Sequence, residues 1–210
     1  MNRVKYALLL VSVVPSLLPA ESLFLPVYPR TGEPIDALVA QVLRPEVFAC
    51  LQVSVNAKIY LLQMGEFIAS QLYEGIGVPL RWSCDNSPDK KEDGRTTIII
   101  RLTDKAPHDV SKKALAYALP FAREGVRVTV FYDRFEAFTR NQPYFAGIVF
   151  GYILAHEIAH VLAQTDSHAL TGLMRASWTI ADLSSMRTRL LGFTPEDARF
   201  IRVALGSGRR

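Results

Sequence analysis

From Tyr144 to Ala163 the chain reads YFAGIVFGYILAHEIAHVLA, apolar nearly all round and interrupted by His156, Glu157 and His160. A helix that is apolar on every side belongs in a core. Asn141 supplies a cap for it, and Pro143 is tolerated in its first turn. Upstream, Ile59, Leu62, Phe67, Ile68 and Leu72 recur near 3.6-residue spacing, which predicts an amphipathic helix over Asn56–Tyr73. Gly75-Ile76-Gly77 stops it, and Val78–Ser83 then reads as a strand. Thr96–Leu102 (TTIIIRL) is a β-branched run expected as a central strand, and Val126–Asp133 (VRVTVFYD) is a second strand with partial alternation. Between them Ser111–Pro120 reads as a short apolar turn or helix. Asp85–Arg95 (DNSPDKKEDGR) is a polar loop with Pro and Gly.

Towards the C-terminus, Thr194 as cap, Pro195 at the first position, and Glu196 and Asp197 behind them open a last helix. Glu21–Glu46 carries Pro26, Pro29, Pro34 and Pro45 and reads as an extended lead-in with a short helix around Ile35–Leu43. The order of helices and strands predicts an α/β chain of the α+β kind with a small mixed sheet. No internal repeat divides it, so residues 21–210 are expected as one domain.

Composition agrees with that outline: 210 residues, 50% hydrophobic and 21% charged, is ordinary globular composition. The first twenty residues change the picture. Arg3 and Lys5 precede an apolar stretch from Tyr6 to Leu18, broken by Pro15, and Leu18-Pro19-Ala20 offers a cleavage site before Glu21. This is the pattern of a secretory signal, so the chain is expected to be exported, periplasmic or secreted. An uncleaved anchor is the alternative, but about 13 apolar residues fall short of the roughly 20 that span a bilayer. No stable membrane span is expected after cleavage.

Loss of Arg3 and Lys5 lowers the formal charge from +4 to +2, and Gly208-Arg209-Arg210 adds positive charge in a frayed tail. No Lys/Arg stripe interleaves with aromatics, so nucleic acid is not an expected partner. Cys50 and Cys84 are the two cysteines. In an oxidising compartment a disulfide between them is the simplest reading, and two separate buried thiols are the alternative.

Burying His156, Glu157 and His160 without partners is costly, so their presence in an apolar helix needs a reason. Residues four apart share a helix face, which lets His156 and His160 reach one tetrahedral metal. Glu157 lies about 100° round from His156, beside such a metal, where it can accept a proton from water. A third ligand is needed, and His168 and Asp166 both follow the helix at reachable distance. A downstream Glu such as Glu196 is a further option. His108 stands alone in a polar loop and is expected to be uninvolved.

The stretch HEIAHVLAQTDSHALTGLM resembles the metzincin signature of zinc metallopeptidases: a zinc helix, a turn with the third ligand, then a methionine-containing turn. Two positions depart from the usual spacing, which places the third ligand at Asp166 and a helix-breaking glycine at Ala163. The pattern is closer to a bacterial metzincin-like group with a turn two residues longer, which matches His168 and Gly172-Leu173-Met174. Gln164, Thr165 or Asp166 must then take the helix-ending conformation, which Asp tolerates better than most.

The resemblance implies a zinc cofactor on His156, His160 and His168, with Asp166 less favoured, Glu157 as general base, and Met174 beneath the metal. It implies a peptide or protein substrate. It also implies that the strand preceding the zinc helix, Gly125–Asp133, lies at the sheet edge and pairs with extended substrate through Val128 and Val130; a central strand with no substrate role is the alternative. Arg175 and Trp178 could line a specificity pocket, with ordinary core as the other reading of Trp178. Ala176 stands where some metzincins carry an extra tyrosine ligand, so a tyrosine switch is not implied. An exported zinc-binding protein without peptidase activity, and a zinc hydrolase with a gluzincin-like third ligand, stand as alternatives.

Overall fold

A computed structural model describes residues 7–11, 46–84, 96–122 and 124–207. The strands are β1 (Ala7–Val11), β2 (Val47–Val53), β3 (Leu80–Trp82), β4 (Thr96–Thr103), β5 (Ala114–Ala118), β6 (Val126–Phe131) and β7 (Ser177–Trp178). The helices are α1 (Ile59–Glu74), α2 (Tyr132–Thr139), α3 (Ala146–Ala163), α4 (Ile180–Arg187) and α5 (Pro195–Ser207), with a 3-10 turn at Pro143–Phe145 leading into α3. The fold is a mixed α+β one.

Its body is a five-stranded mixed sheet in the order β3-β2-β4-β6-β5, continued past β5 by β1 and then β7. The β-branched run of β4 sits mid-sheet, parallel to β2 on one side and β6 on the other. Ile98, Ile100 and Leu102 alternate inward and are fully buried, as period-two patterning requires. With Val128 and Val130 of β6 they join Ile68, Phe150 and Ile153 from α1 and α3 in one core.

Helices α1 and α3 approach closely because glycine removes the side chains where they cross. A Cβ on Gly151 would lie 2.5 Å from Ile68 Cβ and 2.8 Å from the Gly65 carbonyl oxygen. At the other end of the pair the Tyr73 hydroxyl donates to the Ala155 carbonyl over 2.9 Å. The zinc-helix candidate is thereby fixed against α1 as well as the sheet. Pro143–Ala163 is long and apolar enough to cross a membrane, but 94% of that window is buried inside the protein. Burial in the core accounts for its composition.

Cys50 on β2 and Cys84 after β3 lie at disulfide distance, sulfurs 2.15 Å apart. A bond closing those 34 residues restricts the unfolded chain by about 4 kcal/mol in the chain-entropy treatment.

Several expectations change. Ser111–Pro120 contains strand β5 rather than a turn or helix; β6 pairs with it antiparallel, and the sheet supplies the hydrogen bonds that alanine-rich sequence does not advertise. Strand β6 has β4 on one side and β5 on the other. It is interior, so the edge-strand expectation for Gly125–Asp133 fails, and Val128 and Val130, both fully buried, cannot pair with substrate. The chain turns helical at Tyr132, earlier than expected. Ala7–Val11, inside the expected leader, is a strand of the sheet. The short helix at Ile35–Leu43, the lead-in up to residue 45, the cleavage site at Ala20, the Asp85–Arg95 loop and the tail at 208–210 lie outside the described residues.

Candidate metal centre

His156, Glu157 and His160 lie on the last two turns of α3, and each is fully buried. The backbone around them fixes what the imidazoles can do. His156 Nδ1 is 2.9 Å from the Leu173 carbonyl oxygen, and His160 Nδ1 is 2.9 Å from that of Thr165. A carbonyl only accepts, so each Nδ1 carries the proton and donates it. Both Nε2 atoms are then left as bare lone pairs, and they face each other at 3.0 Å. Two lone pairs at that distance repel unless a cation lies between them.

His168 completes the convergence. Its ring centroid is 5.3 Å from that of His156 and 4.7 Å from that of His160, and one ligand nitrogen from each histidine falls within 4.8 Å of the others. Nitrogens around a tetrahedral zinc stand about 3.3 Å apart for metal–nitrogen bonds of about 2.05 Å. The α3 pair is near that spacing already. The three histidines could hold a metal ion.

Electrostatics point the same way. Burial first, then the neighbouring histidine charges, pushes His156 well below the usual imidazole range. Burial and then His168 lower His160 to about 4. Both rings are neutral at physiological pH, the form in which imidazole ligates metal. Glu157 is pushed the opposite way, well above the usual carboxyl range, by burial. Neither of its carboxylate oxygens has a hydrogen-bond partner among the described residues. Such an orphaned acid in a core costs free energy of a few kcal/mol. It makes sense where water or a cation is to be handled.

The segment after α3 builds the floor. Gln164 takes the left-handed conformation, φ 49°, and ends the helix where glycine was missing; Asp166, the better-suited residue type, does not do it. That reversal turns the Thr165 carbonyl back onto His160. Further on, Gly172 at φ 74° makes the turn that buries Leu173 and Met174. The Leu173 carbonyl, besides receiving His156, accepts the Trp178 indole N–H at 3.1 Å. Trp178 is fully buried, its ring 5.8 Å from that of His156 and perpendicular to it. It therefore backs the ligand and does not line an open pocket. Arg175 pairs with Asp182 at 2.9 Å, inside the capping box that Thr179 and Asp182 form at the start of α4.

Asp166 is outside the convergent group and acts on His160 only by its charge. Glu196 is exposed at the start of α5 and is likewise outside the group. His108 is exposed in its loop. A cavity of about 470 Å³ lies beside His168, bounded by Ala163, Met174, Glu196 and Phe200. Residue types suggested the ligands but not the orienting carbonyls of Leu173 and Thr165, which carry no sequence signal.

No protein-family model matches the chain, and neither curated proteins nor solved structures supply a match.

Proposed function

We propose that this chain is an exported zinc-dependent endopeptidase of metzincin-like type. The single observation that carries the reading is the orphaned Glu157 carboxyl, buried on the same helix as two converging imidazole lone pairs. A structural metal site needs the histidines but has no use for that acid. His156, His160 and His168 would hold the ion, and zinc bound there would polarise a scissile carbonyl and acidify water. Glu157 takes the proton of the attacking water and returns it to the departing amine, acting as the carboxylate that a cation beside it favours. The Leu173 and Thr165 carbonyls hold the Nδ1 protons and so aim both Nε2 atoms inward. Resemblance to the metzincin signature at His168 and Gly172-Leu173-Met174 supports a peptide or protein substrate, and the Cys50–Cys84 pair is compatible with an oxidising compartment.

The test is metal analysis with a peptide-library cleavage assay on the purified protein. Glu157→Ala should keep stoichiometric zinc and lose hydrolysis. Zinc loss in that variant, or zinc in the unaltered protein with no peptide cleaved, would refute the assignment. Among ligand variants, His168→Ala should weaken zinc binding far more than Asp166→Ala or Glu196→Ala.

A further inference from the structure

The cavity beside His168 joins the histidine cluster to helix α5. Its volume of about 470 Å³ is in the range of sites that take a large side chain or a small ligand. Ala159 and Ala163, four residues apart on one face of α3, give it one apolar wall, and Phe200 and Ile201 of α5 give it another. His168 and Met174 line it as well, so a group lodged there lies against the third imidazole. The charge along its border is of one sign. Glu196 and Asp197 both line the cavity, whereas no lysine or arginine does among the described residues.

The two carboxyl groups differ in what already engages them. Asp197 accepts from the Thr194 N–H at 2.9 Å and from the Thr194 hydroxyl at 2.7 Å, and its own N–H donates to that hydroxyl at 3.1 Å. It is committed to capping α5. Glu196 is exposed where it borders the cavity and has no hydrogen bond or ion pair among the described residues. A first-turn acid can serve the helix dipole alone, but that role needs no cavity beneath it. Apolar walls that end at an unengaged carboxylate match a side chain with an aliphatic stem and a cationic head. The half-exposed Phe200 ring adds a surface that attracts cations; the Arg199 guanidinium already stands 5.4 Å from its centroid. A neutral aliphatic side chain would meet the walls and leave the carboxylate unanswered. An acidic one would meet like charge.

We propose that this cavity selects the substrate by taking a long cationic side chain, arginine or lysine, with Glu196 as the residue that reads its charge. That the ligand is a peptide rests on the peptidase reading above; the charge preference rests on the cavity's own walls.

The Glu157→Ala protein serves as host for the test, so that bound peptide is not consumed. Four fluorescein-labelled alanine heptapeptides, differing only in a central arginine, lysine, norleucine or glutamate, are titrated by anisotropy. The same four are offered to the unaltered protein for cleavage. The arginine and lysine peptides should bind about three- to fivefold more tightly than the norleucine peptide, the order expected of a partly exposed ion pair, and the glutamate peptide most weakly. Adding Glu196→Gln should erase the advantage over norleucine, and Glu196→Lys should turn the preference towards glutamate, with zinc content unchanged. Glutamine keeps the size of the side chain and decides the case if lysine disturbs α5. Equal affinity for arginine, lysine and norleucine, binding of none of the four, or a cationic preference that survives Glu196→Gln would overturn the proposal. Charge-selective binding with no peptide cleaved would support the pocket and count against the peptidase reading. Cleavage indifferent to charge would do the reverse.

Discussion

Replacing Glu157 by Gln should stabilise the metal-free protein, and the gain should depend on pH in one direction. The folded carboxyl has its proton affinity raised by burial from an ordinary value of 4.5, so the folded state binds more protons than the unfolded state above pH 4.5. Stability contributed by the protonated acid is fully present below 4.5 and is lost as pH rises towards the folded value. The loss grows by about 1.4 kcal/mol per pH unit and therefore cannot exceed about 3.4 kcal/mol at pH 7. Glutamine has nearly the same shape and no proton to lose. The variant should match the parent at pH 4.5 and exceed it by a figure approaching that ceiling at pH 7. Urea unfolding of chelator-treated protein at the two pH values reads this as a shift in midpoint with unchanged slope. Adding zinc should shrink the difference, because a nearby cation favours the carboxylate. Equal stabilities at pH 7, or an advantage for the variant that does not change with pH, would refute the claim that Glu157 is a buried, unpartnered acid.

Three further outcomes follow from the same geometry. His160, lowered to about 4 by burial and then by His168, makes the folded state bind fewer protons than the unfolded state between pH 6.5 and about 4. In the Glu157→Gln background, metal-free protein should lose on the order of 3 kcal/mol as pH falls through that window, with His156 acting in the same direction; a flat midpoint over the range would contradict neutral, buried imidazoles. Gly151→Ala puts a Cβ 2.5 Å from Ile68 Cβ and should cost about 1–3 kcal/mol by overpacking the α1–α3 crossing, measurable as a lower urea midpoint. Trp178→Phe removes the indole donor to the Leu173 carbonyl and part of the wall behind His156; zinc affinity should fall by roughly tenfold while the fold persists, by analogy with other residues that orient metal ligands.

Where the chain's own periodicity decides structure, sequence reading served well. The helix over Asn56–Tyr73 is α1, the TTIIIRL run is β4, and Thr194-Pro195 opens α5, where the Thr194 hydroxyl and Asp197 form reciprocal bonds. Spacing also placed His156 and His160 on one helix face. What escaped depends on distant parts of the chain. Ala114–Ala118 is rich in alanine, a helix former, and becomes a strand because β6 offers hydrogen bonds. Whether Val126–Phe131 sits at an edge or mid-sheet is set by where β5 packs, and a strand's own residues do not carry that information. Choosing among Gln164, Thr165 and Asp166 for the left-handed residue by type favoured aspartate, yet Gln164 takes it, and the Thr165 carbonyl that follows meets His160. Helix α3 could equally be scored as a membrane span, since hydropathy counts apolar residues and not what covers them.

The candidate site is also where the local rules are broken. Around Glu157, α3 is buried on every side, and leucine there would leave no unpartnered carboxyl. Two imidazoles with Nε2 atoms 3.0 Å apart likewise oppose folding when no cation joins them. Neither the sheet order nor the α1–α3 crossing needs these residues. Unfavourable choices concentrated on one helical turn, with backbone carbonyls holding two of the side chains in place, are what the proposed role would require at the expense of stability. The stabilisation expected of Glu157→Gln and the loss of hydrolysis expected of Glu157→Ala are therefore two measurements of one property. If removing the charge left stability unchanged while hydrolysis disappeared, Glu157 would have to be solvated in the folded protein, and the general-base role would survive on other grounds. If the charge proved costly and no peptide were cleaved, the acid would serve some other proton transfer beside the same histidines.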